Sequence, residues 1–121
     1  MSIDYFERFE EEVSFKAGEV IFEAGESADK MYGVREGEVE LVFRGHLLET
    51  CTKGQFFGEM ALIDGSERAA TARARTDVTL VPINRQRFLF LVQETPTFAV
   101  QAMTRLAERI RQYTRNLPEA G

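Results

Sequence analysis

Residues 56–74 read Phe56-Phe57-Gly58-Glu59-Met60-Ala61-Leu62-Ile63-Asp64-Gly65-Ser66-Glu67-Arg68-Ala69-Ala70-Thr71-Ala72-Arg73-Ala74. They interrupt a pattern of short alternating strands that runs up to them and resumes after them. Glu59 to Ile63 suits a single helical turn, bracketed by Gly58 and Gly65. The N–H groups at the start of such a turn lack intrahelical partners and favour an anion. Small residues at Gly58, Ala61, Ala69 and Ala70 let a ligand approach the backbone closely. Arg68 presents a planar fork that matches two oxygens of a phosphate. Glu59 accepts hydrogen bonds and donates none at neutral pH, so it suits a hydroxyl beside the phosphate and not the phosphate itself. An anion cradle next to a hydroxyl acceptor describes a nucleotide with a free ribose hydroxyl. Without these surroundings, Glu59 and Arg68 would read as a surface ion pair worth about 0–1 kcal/mol.

Upstream, alternating runs at 19–24, 30–36, 38–44 and 46–53 are separated by glycines at 18, 25, 37, 45 and 54, which sit at turn positions. In 38–44, Val39, Leu41 and Phe43 share one face, and Glu40, Val42 and Arg44 share the other. Further strands fall at 68–75 and 78–83. Short strands with regular glycine turns predict an antiparallel jelly roll. Before them, Ser2 to Glu12 reads as a short helix, capped by Ser2 and carrying Ile3, Phe6 and Phe9 near helical spacing. After Ile83 the period changes to that of helices. Asn84 caps a helix running to about Glu94, with Phe88, Leu89, Leu91 and Val92 on its apolar side. Thr95-Pro96 then reads as a cap followed by proline at the first helical position. The last helix runs from about Pro96 to Asn116, with an expected packing stripe of Ala99, Ala102, Met103, Leu106, Ile110, Tyr113 and Leu117. Arg105, Arg109, Arg111 and Arg115 decorate the rest of it. The predicted class is α+β, mainly β: a jelly roll (double-stranded β-helix) with an N-terminal helix, a short cassette helix and two C-terminal helices.

At 121 residues and 44% hydrophobic, the chain suits one compact domain with a real core. No apolar run approaches the roughly 20 residues of a membrane span, so no membrane partner is expected. The N-terminus lacks the pattern of a secretory signal. A lone Cys51 provides neither an internal disulfide nor a thiolate-rich metal site; a cytoplasmic, reducing location is the expectation. The net charge of −5 argues against a nucleic-acid partner. It is unevenly spread: residues 1–60 hold 14 acids and 6 bases, residues 61–121 hold 6 acids and 9 bases, all arginine. An anion would therefore be met by the second half.

Gly58-Glu59-Met60-Ala61-Leu62, followed by Arg68-Ala69-Ala70-Thr71, resembles the phosphate-binding cassette of the cyclic-nucleotide-binding domain family. This is the domain type of the catabolite activator protein, protein kinase A regulatory subunits and cyclic-nucleotide-gated channels. Phe15-Lys16-Ala17-Gly18-Glu19-Val20-Ile21-Phe22, Gly25-Glu26-Ser27-Ala28-Asp29-Lys30-Met31-Tyr32 and Val34-Arg35-Glu36-Gly37-Glu38-Val39 resemble its opening strands. The likeness covers 13–116. It implies one domain over 1–121: an N-terminal helix at 1–12, a β-roll at 13–83 with the cassette at 57–71, and hinge and lid helices at 84–117. It implies that Glu59 accepts the ribose 2′-hydroxyl and that Arg68 pairs with the cyclic phosphate. Backbone N–H groups near Met60, Ala61, Ala69 and Ala70 would complete the phosphate cage, and Gly58 would allow the tight turn. Leu41 would belong to the wall under the base. Arg105, Arg109 and Tyr113 are candidates for closing over it. The chain departs from the family at Glu67, where proline is frequent, which implies modestly changed affinity. Ala69, following the arginine, resembles the cAMP-preferring pattern, because members favouring cGMP often carry Thr or Ser there.

The implied protein is a cAMP-binding regulatory module, not an enzyme, with no cofactor beyond the nucleotide and no metal. A single histidine, His46, at an expected hairpin turn, leaves a catalytic or metal-dependent reading short of ligands. A DNA-binding regulator of the catabolite-activator type would need a helix-turn-helix, for which only 117–121 remain, so DNA binding is not expected of this chain. A cGMP binder, or a degenerate domain serving as a protein-interaction module, is the alternative. Signalling would pass to an effector protein, or through self-association of the last helix.

Overall fold

The computed structural model describes residues 5–116. In chain order these form β1 (Val13–Phe15), β2 (Val20–Phe22), β3 (Lys30–Glu36), β4 (Val39–Phe43), β5 (His46–Cys51), β6 (Phe56–Phe57), α1 (Glu59–Asp64), β7 (Thr71–Ala74), β8 (Val78–Asn84), α2 (Arg85–Glu94) and α3 (Pro96–Arg115). The strands make two antiparallel four-stranded sheets, ordered β1-β8-β3-β6 and β2-β7-β4-β5, as a jelly roll requires. Strands β1 and β6 are additions to the sequence reading. At three and two residues, they are too short to display a period.

The space between the sheets is filled by Phe22, Val34, Val39, Leu41, Phe57, Ala72, Ala74, Val78 and Leu80, among others. Strand β8 explains its own near-continuous apolar sequence. Val78 and Leu80 face this inner core, while Val81 and Ile83 face a second core beneath the helices with Met31, Phe56, Leu62, Leu91, Phe98 and Ala102. Gly33 lies in the neighbouring strand β3, and a Cβ there would stand 2.5 Å from the Phe6 ring. The second core is thus sealed by an aromatic laid directly on bare backbone.

That use of Phe6 overturns the expected N-terminal helix over its described part. Ser2 and Ile3 lie outside the described residues. Tyr5–Arg8 form a turn and Phe9–Glu12 have no regular structure; Phe9 N–H donates to the Phe6 carbonyl at 3.1 Å. The Arg35 guanidinium takes the Phe6 and Phe9 carbonyls, each at 2.7 Å, and pairs with Glu12 at 2.6 Å. Carbonyls that would propagate a helix are spent on Arg35, and the rings of Phe6, Phe56 and Phe98 pack edge-on or tilted. Tertiary contacts override a short segment's propensity.

The C-terminal helices form as the signals indicate. Asn84 Oδ1 accepts from Arg87 N–H at 2.8 Å, and Pro96 opens α3. Thr95 makes no side-chain cap; its N–H closes α2 on the Leu91 carbonyl and its own carbonyl receives Phe98 N–H. The expected packing stripe of α3 is also corrected. Phe98, Ala102 and Arg109 are its buried residues, whereas Met103 and Ile110 are 61% and 54% exposed. Leu117 lies outside the described residues. The helix is turned so that an arginine faces inward.

Candidate functional site

Helix α1 begins at Gly58, whose φ of 85° is open to glycine at little cost, and ends at Gly65, whose N–H donates to the Ala61 carbonyl at 2.9 Å. A cavity lies between this helix, the inner face of β4 and the far end of α3. It is lined by Gly58, Glu59, Met60, Ala61, Arg68, Ala69 and Ala70, so every cassette position singled out in the sequence meets there. Leu41, Arg109 and Tyr113 line it too, with Phe22 as an addition. Its volume is about 30 Å³, space for about one water. α3 is seated closely over it. Arg105 is not among the lining residues.

Arg68 is 6% exposed. Its Nη1 donates to the Gly58 carbonyl at 2.9 Å and its Nη2 to the Lys30 carbonyl at 2.6 Å. Its Cζ stands 3.9 Å from the Phe22 ring centroid, within cation–π range. Burial lowers its pKa, partly offset by the neighbouring acidic groups Tyr32, Asp29, Glu26 and Glu59. Its Nε is buried with no partner. Gly58 has a second reason to be glycine: a Cβ would stand 2.7 Å from Arg68 Nη1. The segment around Arg68 is itself stapled to the β2–β3 loop, by Arg68 N–H to the Glu26 carbonyl and Gly25 N–H to the Arg68 carbonyl, both 2.8 Å.

Glu59 is fully buried. Its Oε1 accepts from Arg109 Nη1, and its Oε2 is buried without a partner. Arg109 is held at every nitrogen: Nε donates to Glu49 Oε1 at 2.7 Å, and Nη2 to the Phe56 carbonyl at 2.7 Å and the Cys51 sulfur at 3.6 Å. Burial works against its charge, but Glu59, Cys51 and Glu49 together raise its pKa, so it stays a cation. Glu49 in turn accepts from Arg105 Nη2. Burial would raise the Glu49 carboxyl, and the charges and hydrogen bonds of Arg109 and Arg105 outweigh it, holding it below the usual carboxylate range. Burial pushes Tyr113 up to about 12; its ring meets Phe43 edge-on at 4.9 Å. Cys51 is likewise pushed up to about 12, chiefly by burial, so its thiol is not a nucleophile at neutral pH.

Glu49 is the residue that the sequence reading lacked, and a bulge hides it. The β4–β5 hairpin turns at Arg44 and Gly45, both with positive φ, as a two-residue hairpin turn requires. Phe43 faces His46 and Val42 faces Leu47, but the register then shifts, so Leu41 faces Glu49. An unbroken ladder would have set Leu48 opposite Leu41 and turned Glu49 to the other face.

No group of His, Cys, Asp and Glu among the described residues is arranged to hold a metal ion, and no helix among them is long and apolar enough to cross a membrane. Two of the side chains lining the cavity thus carry a buried polar atom without a partner, an acceptor on Glu59 and a donor on Arg68. The chain is 34% identical over 118 residues to the cyclic AMP receptor protein of Thermus thermophilus, covering 93% of this chain and 52% of that protein; it spans about half that relative's length. The structure of cAMP-bound PfPKA-R (141–441) matches with a TM-score of 0.76 at 26% identity, over 89% of this chain and 38% of that one. A structure from a cyclic-GMP-dependent signalling pathway regulating bacterial phytopathogenesis matches with a TM-score of 0.71 at 30% identity, over 88% of each chain. The family model of the cyclic nucleotide-binding domain matches residues 12–95, and the chain belongs to that family.

Proposed function

We propose that this chain is a non-catalytic sensor that closes over a cyclic nucleotide, cAMP in preference to cGMP. The observation that carries the reading is the pair of unpaired polar atoms in one cavity, Glu59 Oε2 and Arg68 Nε. A buried polar group left without a partner costs about 1–3 kcal/mol, and a ligand that supplies both partners recovers that cost. The 2′-hydroxyl of a cyclic nucleotide donates to Glu59, and the adjacent cyclic phosphate accepts from Arg68 and from backbone N–H groups near Met60, Ala61, Ala69 and Ala70. Leu41 supports the base from β4, and Tyr113 covers it from α3. Arg109 serves as the counter-ion of Glu59, and Arg105 stands outside, tying α3 to β5.

Pockets for small molecules are roughly 300–1,000 Å³, so the ligand enters as α3 swings away about the α2–α3 joint at Thr95-Pro96. That movement is the signal. It passes to an effector protein, or to a second copy through α3, and the ligand biases it only by its differential affinity for the two positions. Ala69 has no hydroxyl to meet a guanine amino group, which favours cAMP. The similarity to the structure from a cyclic-GMP-dependent pathway keeps cGMP as the second reading. Calorimetric titration of the nucleotide-stripped chain decides between them. Micromolar or tighter cAMP binding, weaker for cGMP and lost in Arg68→Ala, is the expected result. Undiminished cAMP binding by Arg68→Ala would overturn the phosphate assignment, and stronger binding of cGMP would reverse the base preference.

A further inference from the structure

Arg–carboxylate pairs favour a two-bond fork, with both carboxylate oxygens engaged. The Arg109–Glu59 pair is not one: Arg109 reaches Oε1 alone and leaves Oε2 unpartnered. The reason lies on the other edge of the same guanidinium. Glu49 Oε1 holds Nε at 2.7 Å, while the Phe56 carbonyl holds Nη2 at 2.7 Å. With those edges fixed by partners on β5 and β6, only Nη1 is left to face Glu59. Glu49 is itself fixed by Arg105, one helical turn before Arg109, and its side chain is 14% exposed.

We infer that Glu49 is a positioning residue for ligand recognition: by engaging Arg109 it prevents the fork with Glu59 and keeps Glu59 Oε2 open for the ligand hydroxyl. The inference rests on the reading of Glu59 as the ribose acceptor, and it adds a residue of β5 that does not line the cavity. Without the Glu49 carboxylate, only the Phe56 carbonyl and the Cys51 sulfur still hold Nη2; the guanidinium turns off them to take both oxygens of Glu59, and the hydroxyl loses its acceptor while the phosphate contacts stay as they were.

The test is the ratio of affinities for cAMP and 2′-deoxy-cAMP, which isolates the hydroxyl. In the parent chain a hydroxyl donating to a buried carboxylate is expected to favour cAMP by about tenfold or more. In Glu49→Gln the ratio should collapse to within about twofold, with 2′-deoxy-cAMP binding nearly unchanged. Loosening of α3 alone would weaken both ligands alike and leave the ratio intact, and that result overturns the inference. If Glu49→Gln yields no folded protein, Glu49→Asp carries the same test. One methylene shorter, it cannot span both arginines, and the ratio should fall by a smaller factor; an unchanged ratio again overturns the inference. Failure of the underlying site reading is seen separately, as a parent chain that binds both ligands equally or as retained cAMP binding in Arg68→Ala.

Discussion

The two ends of the cavity each bury an arginine and hold it in opposite ways. At the cassette end, Arg68 is held by two backbone carbonyls and an aromatic face, all of them neutral, and keeps Nε free. At the helical end, Arg109 is held by two carboxylates and a carbonyl and has no edge left. A cation oriented by neutral groups retains its attraction for an incoming anion. A cation neutralised by carboxylates has none to offer and acts on its neighbours instead. On the proposed reading, the first arginine serves a ligand and the second the architecture around it.

The sharpest way to break this comparison is to remove each charge with a side chain of similar length. Arg109→Met leaves Glu59 fully buried with no cation beside it, and should cost about 3–5 kcal/mol of stability. Thermal or urea unfolding measures it, and adding Glu59→Gln should return much of the loss by removing the stranded charge. Arg68→Met strands only carbonyls. Equal destabilisation by the two variants would show that both arginines are structural and would dissolve the distinction. Arg68 should instead register in affinity, with a loss of at least about a hundredfold for cAMP, since a charge-assisted pair is forfeited.

Gly58→Ala sharpens the same contrast at smaller scale. It places a Cβ against Arg68 Nη1 and forces a side chain into a left-handed conformation. The expected cost is about 1–3 kcal/mol of stability, accompanied by weaker nucleotide binding as the guanidinium is displaced. Loss of stability with intact affinity would mean that Arg68 tolerates displacement and that the close approach is incidental.

The two ends also differ in how far the sequence discloses them. The cassette end lies on one continuous segment, Gly58 to Ala70, where a glycine bracket, a carboxylate and an arginine stand in reading order; its two ends, Gly58–Ala61 and Arg68–Ala70, arrive at the cavity. The strands announce themselves by alternation, and Asn84 and Pro96 by their capping and start positions. The helical end is assembled from Glu49, Glu59 and Arg109, which are 50 to 60 residues from one another where they pair. No local period carries that information. An apolar stripe places the arginines of α3 outward, because the rule presumes that charge seeks water, and it fails where distant carboxylates supply the counter-charge. The bulge between Leu41 and Val42 conceals Glu49 for a related reason, since one extra residue exchanges inward and outward faces. The expected N-terminal helix does not form over its described part because Arg35 competes for its carbonyls.

The smallest expected effect concerns acid. Arg109 and Arg105 hold the Glu49 carboxyl below its ordinary value of 4.5 in the folded chain. A carboxylate with a lowered folded pKa binds protons more readily when unfolded, so its contribution to stability is fully present above that ordinary value. The contribution is lost as pH falls through the lower, folded value. Glu49→Gln has nothing to titrate there. The melting temperatures of the parent and of Glu49→Gln should therefore differ by a constant amount, on the order of 5 °C, from pH 7 to pH 5, and should converge as pH falls through the lower, folded value. Every other carboxylate is common to both chains and cancels in the difference. A gap that persists unchanged into acid would mean that Glu49 contributes by shape and hydrogen bonding and not by charge. The helical end of the cavity would then resemble the cassette end more closely than its ion pairs imply.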